Sequence, residues 1–222
     1  MARMARLVVP GYPHHVTQRG NRRQQTFFCD DDYRYYIELL SKYSREYGTE
    51  VWAYCLMPNH IHLVMVPSKE DGLRATLGEV HRRYTRHVNF RKGWRGHLWQ
   101  ERFHSFVMDE VYLMATVRYV ERNPIVARLC NEPADWPWSS ATAHFKGVDD
   151  GLVKVRPMLD RVGDWRGYLS DSESDIDDYD VIALHSRTGR PLGDQSFVSV
   201  LESLTGRALT PRQPGRKPSV KY

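Results

Sequence analysis

Apolar side chains recur at spacings of three and four across "LRATLGEVHRRYTRHVNF", where Leu73, Leu77, Val80, Tyr84 and Val88 mark one face of a helix. An earlier stretch, "DDDYRYYIELLSKYSREYG", predicts another helix: Asp30 to Asp32 suit its start, Ile37, Leu39, Leu40 and Tyr43 supply apolar positions, and Gly48 stops it. Strand character falls on "PHHVTQRG", which ends in a glycine turn, and on "EVWAYCLM" and "HIHLVMV". The last two are broken only by Pro58-Asn59, a tight-turn signal that predicts an antiparallel pair. "FHSFVMD" then reads as a strand and "EVYLMATVRYVERN" as a helix. That helix is expected to stop near Asn123, because a residue before proline avoids the helical region. The order βαββαβα places the chain in the α+β class, with a central antiparallel sheet flanked by helices.

"NEPADWPWSSATAHF" continues this unit as a turn and short helix that pins two tryptophans against the core, so residues 1–147 are expected to form one domain. Residues 148–190 read as a linker, acidic in the part "SDSESDIDDYD". Residues 191–222 read as a C-terminal helix, "PLGDQSFVSVLESLTGR" with Asp194 as its cap, followed by the proline-rich basic tail "ALTPRQPGRKPSVKY".

A hydrophobic content of 41% describes a soluble globular chain, and no run approaches the roughly twenty apolar residues of a membrane span. With no signal-peptide pattern at the start, the expected location is the cytoplasm. Cys29, Cys55 and Cys130 are scattered and odd in number, which argues against a disulfide framework or a cysteine-rich zinc site. The net charge of +5 is concentrated in three stretches. Arg19, Arg22 and Arg23 lie in the first, Arg82, Arg83, Arg86, Arg91, Lys92 and Arg95 in the second, and Arg207, Arg212, Arg216, Lys217 and Lys221 in the tail. Tyr84, Phe90 and Trp94 interleave with the second, a combination that neutralises phosphate and stacks on bases and so points towards nucleic acid.

Within "MPNHIHLV", His60 and His62 share one face of a strand, while Ile61 and Leu63 do not read as a consistent second face. Alternate side chains stand about 7 Å apart at Cα and can converge on one cation, or each imidazole can simply hydrogen-bond to a neighbour. On the later helix Tyr119 and Asn123 are four apart and share a face, so a phenol and an amide oxygen could complete a site as nucleophile and third ligand. Tyr119 equally fits a core aromatic, as does Tyr112 on nearly the same face.

Taken together, "PNHIHLV", then "YLMATVRYVERNPIVARL" some sixty residues on, then "WPWSS", resemble the single-tyrosine transposases of the HUH class. More narrowly, with "RGNRRQ" and the tail "GRPLGDQSF...PGRKP", the chain is similar to the REP-associated tyrosine transposases, relatives of the insertion-sequence-200-like enzymes. The resemblance spans residues 5–147 and, more loosely, the tail. It implies a ferredoxin-like HUH nuclease fold in which His60, His62 and Asn123 hold a divalent metal and Tyr119 attacks DNA, with Tyr112 as a backup nucleophile. Two imidazoles and one amide suit Mg²⁺ or Mn²⁺, Mn²⁺ for its tolerance of nitrogen, with zinc a further option.

The activity implied is metal-dependent cleavage and rejoining of single-stranded DNA next to hairpins, the repetitive extragenic palindromes, through a 5′-phosphotyrosine intermediate. Arg19, Asn21, Arg22 and Arg23 are candidates for reading the hairpin foot and Arg82, Arg83 and Arg86 for holding the backbone, a solvated surface role standing beside the contact for each arginine; Arg216 and Lys217 are candidates for a clamp in the tail, with flexible tethering as the alternative. A domesticated palindrome-binding protein without turnover is the alternative. A rolling-circle initiator or relaxase usually presents its tyrosine in a different order relative to the histidines. The expected partners are single-stranded DNA and DNA hairpins, with no membrane, in a monomer or homodimer.

Overall fold

A computed structural model describes residues 5–170 and 175–210, the side chains of the second stretch from residue 179 onward. Four strands, β1 (His14–Arg19), β2 (Thr49–Met57), β3 (His60–Pro67) and β4 (His104–Val107), form one sheet in the order β2-β3-β1-β4. Every neighbouring pair is antiparallel. Helices α1 (Asp30–Glu46) and α2 (Gly72–Lys92) connect the strands, and α3 (Glu110–Val126) follows β4, so the βαββαβα order is realised. Shorter helices complete the chain: α4 (Ala141–Lys146), α5 (Arg156–Leu159), α6 (Trp165–Ser170), α7 (Asp175–Thr188) and α8 (Gln195–Thr205).

The sheet buries both faces. Val16, Leu56, Ile61, Leu63 and Met65 pack with Tyr36 and Leu40 of α1 and Leu77 and Tyr84 of α2. On the opposite face Cys55, Val64 and Phe106 meet Leu113, Val117 and Val120 of α3. Ile61 and Leu63 therefore do form a consistent second face, contrary to the sequence reading: β3 is central, so the residues between the histidines are core to the α1–α2 layer. A register shift between Val51 and Ala53 bulges β2, so that Tyr54 and Leu56 join one core while Ala53, Cys55 and Met57 join the other.

Two further expectations differ from what is found. Helix α3 does not stop at Asn123 but runs through Pro124 to Val126. Proline removes one N–H and so deprives only the Val120 carbonyl of its helical partner, and the helix ends within a turn, with Ala127 N–H donating to Asn123 at 3.0 Å. Residues 148–170, expected as linker, instead pack on the domain: Lys154 N–H donates to the Val51 carbonyl at 2.8 Å, and Leu152, Val153, Met158, Trp165 and Leu169 are buried. Their apolar residues are spread over short elements, which leaves no periodic signal for a sequence reading to detect. Asp194 does cap α8, accepting from Phe197 N–H at 2.7 Å, and Leu201 of that helix packs on Leu7 and Val9.

Candidate active site

The turn at Pro58-Asn59 fixes where β3 begins. Thr26 N–H donates to the Pro58 carbonyl and Gly20 N–H to that of Asn59, both at 2.8 Å, which ties the turn to the end of β1. In the resulting register Arg19 lies opposite His60 and Thr17 opposite His62, on the sheet face that α3 covers. There a cavity of about 500 Å³ opens, with Arg19, His60, His62 and Tyr119 in its walls.

Hydrogen bonds orient both imidazoles. The Asn59 carboxamide donates from Nδ2 to the Arg23 carbonyl at 3.0 Å, which turns its Oδ1 to His60 Nδ1 at 2.6 Å. An amide oxygen only accepts, so His60 carries its proton on Nδ1 and keeps the Nε2 lone pair. His62 Nδ1 lies 3.1 Å from His15 Nε2, and His62 Nε2 is buried with no hydrogen-bond partner. Burial, reinforced by the Arg19 charge, pushes the His60 pKa down to about 3. Burial, together with His60, His15 and Arg19, holds His62 well below the usual histidine range. Both rings are thus neutral at physiological pH, the state in which imidazole is a ligand.

Tyr119 stands edge-on to His62, ring centroids 5.2 Å apart at 87°. Burial raises its pKa, while a hydrogen bond with the Asn123 side chain and the Arg19 charge pull the other way. Asn123 lies one helical turn beyond Tyr119 on α3 and opposes that rise, but it is not one of the residues lining the cavity. Tyr112 does not line the cavity either; it packs partly buried beside the α3 core. Among the described residues no cluster of three or more His, Cys, Asp or Glu side chains is placed to hold a metal ion, so a cation here would have two imidazoles and would need its further ligands from oxygen.

Of the candidate arginines, Arg19 and Arg23 line the cavity. Asn21 and Arg22 sit beside it on a short 3₁₀ turn, Asn21–Arg23, in which Arg22 and Arg23 have φ of 53° and 60°. Two successive non-glycine residues in the left-handed region store backbone strain, a feature concentrated at functional sites. Arg82, Arg83 and Arg86 lie instead on α2, across the sheet from Tyr119, where Arg82 and Arg83 share Glu79 at 2.6 Å and 3.1 Å. Of the interleaved aromatics Tyr84 is wholly buried, its hydroxyl donating to Thr26 O, whereas Phe90 is 91% exposed and Trp94 42%. Arg212, Arg216, Lys217 and Lys221 lie outside the described residues.

The sequence reading missed several cavity residues: Gln100, Glu101 and His104 before and on β4, and Ser186 and Arg187 on α7. Nothing in their spacing points to the site, because the sheet order and the return of α7 bring them there. Asn59 was read only as a turn residue.

A family profile described as "Transposase IS200 like" matches residues 9–123, from just before β1 to Asn123. The chain belongs to that family. Its function is accordingly that of a DNA transposase of this kind. Relatives at lower identity agree. A REP-associated tyrosine transposase of Escherichia coli K12 is 24% identical over 152 residues, covering 68% of this chain and 82% of the relative. A Haemophilus influenzae protein named among the same transposases is 28% identical over 120 residues, covering 48% of this chain and 68% of the relative. Among solved structures, a REP-associated tyrosine transposase bound to a REP hairpin superposes with a TM-score of 0.57 at 21% identity, covering 78% of this chain and 96% of that one, which supports the fold. No helix among the described residues is long and apolar enough to cross a membrane.

Proposed function

We propose that this chain cuts and rejoins single-stranded DNA next to hairpins, with Tyr119 as the nucleophile and a divalent cation, Mg²⁺ or Mn²⁺, held by His60, His62 and an oxygen of Asn123. The observation that carries the reading is the placement of Tyr119 against His62 in one cavity whose walls include His60 and Arg19. The two imidazoles fit a cation: each is neutral and engaged through Nδ1, and His62 Nε2 is a buried nitrogen lacking a partner. When bound, such an ion would drain charge from the phosphodiester and stabilise its leaving oxygen.

The chain's own side chains account for the rest. The Tyr119 oxygen forms a bond to phosphorus as the bond to the 3′ oxygen breaks, giving a 5′-phosphotyrosine link and a free 3′-hydroxyl. Because burial raises the Tyr119 pKa, the phenol is protonated at rest and must shed its proton in the course of attack. Arg19 and Arg23 supply positive charge at the cavity wall, where a DNA strand would bring phosphates. A second 3′-end attacking the phosphotyrosine reverses the step, so cutting and joining use one site. A strand must leave the duplex stack to enter, which is why unpaired DNA is the substrate assigned. The hairpin bound by the structural relative supports a palindromic hairpin as the neighbouring element.

The test uses the full chain, a hairpin oligonucleotide from a host palindromic repeat with a single-stranded flank, and Mn²⁺. Tyr119→Phe is expected to abolish the covalent protein–DNA adduct on a denaturing gel while hairpin binding stays within about two-fold. Adduct formation by Tyr119→Phe at the wild-type level would overturn the assignment, and hairpin binding without adduct in the wild type would select the non-catalytic binder instead.

A further inference from the structure

We infer that His15, anchored by Ser186, is a positioning residue that holds His62 in the tautomer whose Nε2 lone pair faces the cavity. The inference rests on the metal reading given above and adds to it a determinant of metal affinity from outside the ligand set.

Geometry carries the argument. The His15 and His62 rings are nearly coplanar, 7° apart, with centroids separated by 5.3 Å. Their facing nitrogens are only 3.1 Å apart, closer than stacked ring faces can approach. The two imidazoles therefore meet edge to edge in one plane, the arrangement of an N–H···N hydrogen bond. His15 Nδ1, on the far side of its ring, lies 3.4 Å from Ser186 Oγ on α7. Both histidines are buried, at 1% and 5% exposure, so water does not substitute for these partners.

A single proton lies between His15 and His62, and it fixes the rest of the chain. If His62 Nδ1 holds it, His62 Nε2 presents a lone pair to the cavity and His15 Nδ1–H donates to Ser186. If His15 Nε2 holds it, His62 Nε2 carries a hydrogen and cannot ligate. His60 is already in the ligating form, because Asn59 Oδ1 can only accept. For both rings to converge on one cation, His62 must take the same form, with His15 as its acceptor and the Ser186 hydroxyl as acceptor in turn. Second partners of this kind typically change metal affinity by about 10- to 100-fold.

The experiment measures Mn²⁺ binding directly, by calorimetry on the full chain without DNA, together with ¹⁵N chemical shifts of the metal-free His62 ring. His60→Ala is expected to remove binding. His15→Phe, which keeps ring volume but offers no acceptor, is expected to raise Kd by about 10- to 100-fold at unchanged Mn²⁺ stoichiometry. His15→Gln, whose amide oxygen can accept from Nδ1–H, is expected to recover most of that loss, a rescue that a purely space-filling role would not produce. Wild-type affinity in His15→Phe alongside loss in His60→Ala would overturn the role of His15 and leave the metal reading standing. Equal binding by wild type and His60→Ala would overturn both. Should His15→Phe not fold, the wild-type spectrum decides: a His62 proton on Nδ1 supports the inference, and one on Nε2 refutes it.

Discussion

Replacing Glu121 with alanine removes the acceptor of three buried hydrogen bonds from the helix that carries Tyr119. The Glu121 side chain is fully buried on α3 and accepts from Ser140 Oγ at 2.5 Å, His144 Nδ1 at 2.6 Å and Trp165 Nε1 at 3.0 Å. These donors come from the segment just before α4, from α4 and from α6, so one carboxyl ties α3 to three later parts of the chain. Ser140 in turn accepts from Tyr54 N–H of β2 at 3.0 Å, which extends the cluster into the sheet.

The Ser140 hydroxyl can turn to the Tyr54 carbonyl at 3.3 Å, but each of the other two buried donors left unpaired costs about 1–3 kcal/mol, so Glu121→Ala is expected to destabilise the fold by roughly 2–6 kcal/mol, against a total of about 5–15 for a typical protein. Glu121→Gln should cost far less, about 1–2 kcal/mol. Its carbonyl oxygen can still accept from Trp165, while its amide can donate to the Ser140 hydroxyl and to His144 in the other tautomer. Urea unfolding followed by far-ultraviolet circular dichroism at neutral pH, alongside the adduct assay, gives both readouts. The glutamine variant should form adduct in conditions where the alanine variant is largely unfolded. An alanine variant within 1 kcal/mol of wild type, or a glutamine variant as unstable as alanine, would refute the claim that hydrogen bonding at Glu121 holds α3.

Two further outcomes are expected. His14 donates from Nδ1 to Tyr12 O at 2.8 Å and accepts Val9 N–H at Nε2, and burial lowers its pKa from 6.5 to about 4. The unfolded chain takes up a proton below pH 6.5 that the folded chain refuses, so stability is full above that pH and falls as pH drops towards 4. This site alone should cost about 2 kcal/mol between pH 7.5 and 5, and half-buried His81, lowered to about 3, acts in the same direction; equal urea midpoints at the two pH values would contradict it. Separately, Arg19→Ala and Arg23→Ala should each slow adduct formation at saturating DNA by about ten-fold, a loss of roughly 1.4 kcal/mol in transition-state stabilisation, whereas Arg82→Ala and Arg83→Ala, across the sheet, should not change that rate. Single-turnover kinetics at saturating oligonucleotide separate the two pairs, and an equal loss in all four variants would show that the cavity wall has no special part.

The elements that recur with a simple period were legible in the sequence. Period two along β3 places His60 and His62 on one face, and the four-residue step on α3 puts Tyr119 and Asn123 one helical turn apart. What resisted reading was long-range. His15 meets His62 only because β1 inserts beside β3 in the sheet, an adjacency that depends on strand order and not on local pattern. Helix α3 overran its expected end because the cost of an internal proline falls on one carbonyl when the helix stops within a turn. The arginines of α2 looked equivalent to those beside β1 by charge alone, yet Glu79 and the sheet separate them from the cavity.

The matched family segment ends at Asn123, and it contains His60, His62, Tyr119 and two of the three cavity arginines, Arg19 and Arg23, but not Arg187. The groups that hold those residues in place extend beyond it. Ser140, His144 and Trp165 fix the tyrosine helix through Glu121, and Ser186 ends the hydrogen-bonded chain behind His62. A boundary drawn at residue 147 would keep every side chain assigned to the chemistry while removing Trp165 from the Glu121 cluster and Ser186 from His15. Short helices with scattered apolar residues carry weak sequence signals, but their contribution is a few buried polar contacts at fixed positions, which composition does not report. For this chain, the unit that must fold for Tyr119 to face the two imidazoles is therefore longer than the unit that its motifs define.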